Sequence, residues 1–210
     1  VERQSVRYEH VRKARFAWLS AATHPGVAEE ELVLAAKFMV WYFAYDDRYV
    51  NPTDQQSFAR LLAVQKRLFA VLNGNGSQRT DPPVVRALDD VYQALRSYGE
   101  DNRWFQQFCQ DLKEFLEANR WVLYHRLHNR VPDLAAYLNM RPYDVGLFPC
   151  LDMAACFRRL DPDAPFFHTA YFQTLKRMAA THCFMVNDIL GVERELRDHD
   201  ATNFVLVAQN

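Results

Sequence analysis

The run from Leu32 to Tyr45 is the feature that most constrains the fold. Its 14 residues are apolar apart from Lys37. Such a run is too short to cross a membrane and has the length of a buried helix. A helix that is apolar on nearly every side must be surrounded by other elements. We therefore expect a central helix that begins at Ala28 and ends at Asp47.

The rest of the chain is also patterned as helices, with no convincing alternating strand segment. There are only six glycines, and the prolines gather between the helical segments. No repeat, low-complexity segment or long linker divides the chain, so residues 1–210 are predicted to form one all-α domain. The predicted helices cover residues 1–23, 28–47, 54–72, 84–98 and 101–130, a stretch from 131 to a break between Asp144 and Pro149, and then 150–159 and 167–197.

Composition and charge exclude several classes of partner. The formal net charge is −1 and the basic residues are scattered, which argues against nucleic-acid and anionic membrane partners. The four cysteines have neither a CxxC nor a zinc spacing, so free buried thiols in a reducing compartment are expected. The chain opens with a charged stretch rather than a signal peptide, which predicts a cytoplasmic location.

Asp46 and Asp47 directly follow the apolar run. Ionised carboxylates at a helix C-terminus are unfavourable with respect to the helix dipole, and near a core they need a counter-charge. One interpretation is an exposed helix end without a special role. The other is a Mg²⁺ site, because hard cations prefer a cluster of carboxylate oxygens.

A second cluster follows near the end of the chain. Asn187, Gly191 and Glu195 have the spacing i, i+4 and i+8, which places them on one face of a helix. Helical side chains lean toward the N-terminus, so Glu195 reaches back toward Asn187, and their oxygens suit Mg²⁺. The alternative is a charged outer face, as Glu193 suggests. The apolar turn at residues 183–186 argues against it.

These motifs resemble those of class I terpene synthases. Asp46-Asp47 resembles the aspartate-rich motif, and NDILGVERE at residues 187–195 resembles the second metal motif, NDxxSxxxE. YLNMRPYDVG at residues 137–146 resembles the diphosphate-sensor region, and residues 200–207 resemble the stretch after the second motif. The resemblance extends from about residue 20 to the end of the chain. It implies a helical bundle around a central active-site cavity.

The resemblance also implies a role for each matching position. Arg141 would sense the diphosphate, Asp144 would link it to a helix break, and Val145 would present a backbone carbonyl there. Arg194 would contact the diphosphate as well. Asp46 would bind two of three Mg²⁺ ions, and Asp47 would either bind metal as well or orient its neighbours through a hydrogen bond. Asn187 and Glu195 would bind the third ion, with Gly191 at the position of the usual hydroxyl ligand, which a water could replace.

The substrate pocket is predicted by stepping back one helical turn at a time from the metal residues. The positions so obtained, together with the residue near the helix break, are Met39, Tyr42, Phe43, Phe148, Ala180, Cys183 and Phe184. The alternative for each of them is an ordinary core residue. Aromatic faces among them would stabilise a carbocation in a dry cavity.

Three features depart from the family pattern. The first motif has no third acid, and Asn51 is a weak substitute. Gly191 stands where a hydroxyl residue is usual. The Arg-Tyr pair and the helices that close over the diphosphate are not found in this sequence, so we expect a bundle without these closing helices and with exposed apolar surface.

The implied function is Mg²⁺-dependent cyclisation of a prenyl diphosphate, either farnesyl or geranylgeranyl diphosphate. One alternative is a trans-prenyl transferase, which would carry a second Asp-Asp cluster in place of NDILGVERE. Another is a non-catalytic helical interaction module derived from the same fold. A homodimer is left open.

Overall fold

The computed structural model describes residues 13–99, 102–198 and 200–209. Within these ranges all regular structure is helical and no strand occurs, so the all-α prediction is confirmed. The elements in chain order are α1 (Phe16–Thr23), α2 (Glu29–Tyr45), a π-helical turn (Asp46–Val50), α3 (Ser57–Leu72), α4 (Pro83–Arg96), α5 (Arg103–Leu127), α6 (Leu134–Asp144), α7 (Leu147–Phe157), a 3₁₀ turn (Pro165–His168), α8 (Ala170–Arg197) and α9 (Phe204–Val207).

The main core lies between α2 and α5. Phe38 of α2 is fully buried and meets the ring of Phe108 of α5 edge-on. The prediction that α2 is enclosed on all sides is wrong, because Val33 and Phe43 are exposed. On that side α2 is covered only in part by α1, whose Phe16 ring stacks on Phe43 with centroids 4.8 Å apart.

Two helix boundaries differ from the prediction in an informative way. The break after α6 falls at Val145 and Gly146, and α7 already begins at Leu147. Pro149 therefore lies in the first turn of α7, where its missing N–H breaks no hydrogen bond of the helix. The helix predicted for residues 1–23 is interrupted at Arg15, a turn residue with φ +53° that separates helical residues 13–14 from α1. Residues 1–12 of that prediction lie outside the described part.

A second, smaller core joins the C-terminal elements. Tyr137 of α6, Phe184 of α8 and Val207 of α9 are buried together. The opposite side of α8 exposes apolar side chains, with Met178 62% and Leu190 81% exposed. The predicted exposed apolar surface is thus found on this helix.

In the described ranges, no helix combines the length and apolar character required of a membrane span.

Candidate active site

The first carboxylate cluster lies on the π-helical turn that ends α2. The Asn51 N–H donates to the Asp46 carbonyl at 3.0 Å, which closes the wider turn. Such turns are rare and occur mostly at functional sites. Burial, together with the carboxylates of Asp144 and Asp47, raises the pKa of Asp46 to about 6, against the opposing charge of Arg126. A carboxyl group in this environment is stabilised in its charged form by an added cation.

Asn51 connects the two carboxylates of this cluster. Its Nδ2 donates to Asp46 Oδ2 at 3.0 Å and to Asp47 Oδ1 at 3.2 Å, while its Oδ1 accepts from Arg126 Nη1 at 3.0 Å. The amide orientation follows from its neighbours, since carboxylates only accept and a guanidinium only donates. Asn51 is therefore placed as a donor to the acids, and its oxygen already has a partner.

Arg141 lies at the centre of a second, largely buried network. Its Nη1 pairs with Asp144 at 2.5 Å and its Nη2 with Asp188 at 2.6 Å. Nη2 also donates to Asn187 Oδ1 at 3.1 Å. Asp144 is held in turn by Asn119, whose Nδ2 donates to it at 2.8 Å. Arg141 thus joins the end of α6 to the second cluster on α8.

Asp188 was not among the predicted site residues, yet it is fully buried and has several partners. The Tyr137 hydroxyl and the Phe204 N–H donate to its Oδ2, the latter at 2.9 Å. Adjacent helical residues point about 100° apart, so Asn187 faces outward while Asp188 faces the core. The available signal was Phe184, which precedes Asp188 by four residues and belongs to the apolar turn.

The helix break between α6 and α7 depends on Gly146 and Tyr42. Gly146 has φ +67°, a conformation that favours glycine, and a Cβ there would overlap the Tyr42 ring. The Tyr42 hydroxyl donates to the Asp144 carbonyl at 3.1 Å. The helix break is thus in direct contact with α2 at Tyr42, one turn before Asp46. Val145, the predicted carbonyl donor, is the first residue after α6.

The second cluster lies along the last turns of α8. The Glu195 carboxylate folds back over Gly191, because a Cβ built on Gly191 would meet Glu195 Oε1 at 2.6 Å. Gly191 has no side-chain oxygen, and its contribution here is space for that carboxylate. Glu195 Oε2 accepts from Asn203 at 2.5 Å, and Oε1 accepts from the exposed Arg194 at 3.0 Å. Arg194, the predicted diphosphate contact, is therefore a neighbour of Glu195.

The predicted pocket residues divide into two groups. Ala180 and Phe184 are fully buried and expose no surface to a cavity. They share the face of α8 that carries Asp188, and that face packs on α6 and α9, so a pocket role for them is not supported by this geometry. Phe43 is exposed on the α1 side of α2. The remaining predicted positions, which stay predictions, are Met39, Tyr42, Phe148 and Cys183.

All four cysteines are free thiols, as expected from their spacing.

The donors present fit a divalent cation only in combination with a ligand. Nowhere in the described ranges do three or more His, Cys, Asp or Glu side chains converge on a possible metal position. Mg²⁺ is commonly held by one or two carboxylates together with substrate phosphates. The partly buried Asp46, with its raised pKa, and Glu195 suit that arrangement.

Comparison with known proteins places this architecture in a class. The chain superimposes on a linalool/nerolidol synthase from Streptomyces clavuligerus in complex with 2-fluorogeranyl diphosphate, with TM-score 0.84 and 21% identity, covering 95% of this chain and 67% of that one. Its fold is therefore that of a class I terpene synthase. The model of terpene synthase family 2, C-terminal metal binding, matches residues 37–210, and the chain belongs to that family.

Two relatives are similar along nearly the whole chain. A (+)-T-muurolol synthase, described as farnesyl diphosphate cyclizing, from Roseiflexus castenholzii is 27% identical over 94% of this chain. Pristinol synthase from Streptomyces pristinaespiralis is 27% identical over 97% of it. The chain spans 60% and 54% of the lengths of these two proteins.

Proposed function

We propose that this chain is the catalytic core of a Mg²⁺-dependent terpene cyclase, comprising a single partial cyclase domain over residues 1–210. The Arg141 network carries the proposal, because it joins the helix break at Asp144 to Asn187 of the second cluster. The proposed substrate is farnesyl diphosphate, which the description of the T-muurolol synthase also names. Geranylgeranyl diphosphate is the second candidate.

Arg141 would bind the diphosphate and couple that binding to a movement at the helix break. Its planar guanidinium suits phosphate oxygens, and its present partners are the Asp144 and Asp188 carboxylates and the Asn187 amide. A diphosphate that competes for Nη2 would shift Arg141 relative to Asp144. Because Asp144 directly precedes Val145, that shift is transmitted to the Val145 carbonyl.

Metal ions would neutralise the leaving diphosphate, which is Lewis-acid catalysis. We propose that three Mg²⁺ ions are involved, with Asp46 and Asp47 on one side and Asn187 and Glu195 on the other. Asn203 would keep the Glu195 carboxylate over Gly191 and close to Asn187. Arg194 pairs with Glu195 through Nη2 in this structure and would contact the diphosphate through its other guanidinium nitrogens.

The remaining expectations from the sequence stay predictions. These are a cytoplasmic location, the absence of nucleic-acid and membrane partners, and the open alternative of a homodimer.

An incubation with geranyl, farnesyl and geranylgeranyl diphosphates and Mg²⁺ tests the proposal. Diphosphate release and a cyclic hydrocarbon or alcohol by gas chromatography–mass spectrometry are expected. A longer prenyl diphosphate would instead identify a transferase. No turnover would support the interaction module.

Variants on α8 locate the metal residues. Asn187→Leu and Glu195→Gln are expected to lower diphosphate release by about 100-fold or more. Glu193→Ala is the matched control, because this exposed carboxylate on the same helix is not part of the site. Full activity in both site variants would refute the second metal site.

A further inference from the structure

Arg126 lies in the last turn of α5 and uses all three of its nitrogens. Nη2 pairs with Asp200 Oδ2 at 2.6 Å, Nη1 donates to Asn51 Oδ1 at 3.0 Å, and Nε donates to Thr202 Oγ1 at 3.2 Å. The side chain is 19% exposed and that of Asp200 is 12% exposed. Three hydrogen-bonded partners hold this guanidinium in one position. The planar fork loses little conformational entropy for each hydrogen bond it forms.

On one side, Arg126 reaches the first cluster through Asn51. Asn51 presents its oxygen to Arg126 and its Nδ2 to Asp46 and Asp47. The Arg126 contact therefore fixes which way the amide faces, and the amide in turn holds both carboxylates. With its oxygen engaged by Arg126, Asn51 acts as a holder of the metal-binding acids and does not replace the missing third acid.

On the other side, Arg126 reaches the second cluster through the segment after α8. The Asp200 N–H donates to the Glu195 carbonyl at 2.8 Å, and the Thr202 N–H donates to Asp200 Oδ1 at 2.8 Å. Asn203 follows directly, and its Nδ2 donates to Glu195 Oε2 at 2.5 Å and to the Asp188 carbonyl at 2.7 Å. The segment that Arg126 holds is thus the one that positions the Glu195 carboxylate.

We propose that Arg126 is a positioning residue that sets the spacing between the two metal-binding clusters. This inference rests on the proposed function and adds a residue that the two motifs do not contain. Mg²⁺ requires near-ideal ligand geometry, and a displacement of about 1 Å at an active site costs on the order of 100-fold in rate. Arg126, which is bonded to the segments of both clusters, would hold that geometry before diphosphate binds.

Binding of Mn²⁺ with inorganic diphosphate tests the proposal without requiring turnover. Mn²⁺ affinity is measured by electron paramagnetic resonance and by calorimetry, each with and without diphosphate. Arg126→Lys keeps the charge but replaces three separate nitrogens with one, which cannot occupy all three positions, and we expect it to weaken diphosphate-dependent Mn²⁺ binding by about 10- to 100-fold. The control is Arg130→Lys, at an exposed arginine just beyond α5.

A double variant separates positioning from general destabilisation. Asn51→Ala should weaken Mn²⁺ binding as well, and Arg126→Lys combined with it should add less than the sum of the two, because both act along one path. Urea unfolding of each variant checks that it is folded.

The possible outcomes distinguish the positioning role of Arg126 from the proposed function. Wild-type Mn²⁺ affinity in folded Arg126→Lys would overturn the proposal, and so would full additivity in the double variant. A wild-type chain that binds Mn²⁺ and diphosphate but releases no diphosphate from any prenyl substrate would refute the proposed function. The positioning role of Arg126 would then still be tested by the Mn²⁺ affinities of its variants. A wild-type chain that does not bind Mn²⁺ with diphosphate would refute both.

Discussion

Two buried cations hold α8 at different levels, and their surroundings differ. In the C-terminal half of α8, Asp188 and the exposed Asn187 bind Arg141 of α6. Lys176 of α8, which lies eleven residues before Asn187 and about 16 Å away along the helix, binds Asp111 of α5 at 3.0 Å and Asp152 of α7 at 3.1 Å. The first network includes the exposed Asn187 of the proposed metal site. In the second, both aspartates are buried and the Lys176 side chain is 11% exposed.

The chemistry of the two cations matches their positions. Arg141 offers a planar fork that can bind two phosphate oxygens, and it lies where a diphosphate is proposed to bind. Lys176 is a point charge, and its Nζ lies 5.4 Å from the centre of the Phe148 ring. We therefore propose that Arg141 serves ligand binding, whereas Lys176 attaches α8 to α5 and α7. The following variants test that division.

The largest expected effect is on folding, from Lys176→Met. Removing the ammonium leaves Asp111 and Asp152 buried without their cation, and loss of one partner of a buried ion pair costs about 3–5 kcal/mol. Urea unfolding would measure the difference in the free energy of unfolding. Lys66→Met, at an exposed lysine, is the control and should change it by less than about 0.5 kcal/mol. A Lys176→Met chain as stable as wild type would remove the structural role.

Next in size is the effect of Arg141→Lys on catalysis. The ammonium keeps the charge but loses the fork, and loss of one donor to a developing charge lowers kcat by about 10²- to 10³-fold. Diphosphate release from farnesyl diphosphate is the measurement. Arg177→Lys is the control, since this exposed arginine of α8 donates to the Leu138 carbonyl and to Asn139 Oδ1, away from the proposed diphosphate position. Activity within about threefold of wild type would contradict the ligand-binding role of Arg141.

The smallest expected effect is a pH dependence of stability. Burial raises the pKa of Asp152 well above its usual value, although Lys176 opposes this. In the unfolded chain Asp152 ionises near the ordinary aspartate pKa of about 4, so stability falls as pH rises from there toward the raised pKa of the folded state. The neighbouring Cys150 and Cys156 thiols, with pKa values of about 12, do not titrate in that range.

Asp152→Asn removes this titration while keeping the shape. The variant should gain stability relative to wild type between pH 5 and pH 8, as measured by urea unfolding at both values. The Asp152 Oδ2 atom, which is buried and accepts no hydrogen bond within the described residues, gives the structural reason. An unchanged difference between variant and wild type across this range would contradict the raised pKa.

Local spacing accounts for several contacts of the candidate site. Arg141 and Asp144 were assigned from the family resemblance, and their pairing fits helical geometry, because they lie three residues apart on one helix. The same holds for Glu195, whose carboxylate leans back over Gly191. The apolar run of α2 correctly predicted that Asp46 and Asp47 follow a core helix. These features depend on neighbours within about two turns of the same segment.

The features that spacing did not reveal depend on contacts between distant segments. Arg126 and Asn51 lie 75 positions apart in the chain, so the helical spacing of residues within one segment cannot predict their contact. Phe184 lies one turn before Asn187 and was predicted to line the pocket, yet its face of α8 packs on α6 and α9.

The sequence by itself determined which residues share a helix face and which acids end an apolar helix, because the helical repeat is a property of the local chain. Only the tertiary structure decided that Asp188 faces inward and Asn187 outward, and that Arg126 joins the two clusters. Which partner a helix face meets is set by packing among segments far apart in sequence, and spacing along one segment carries no information about that partner.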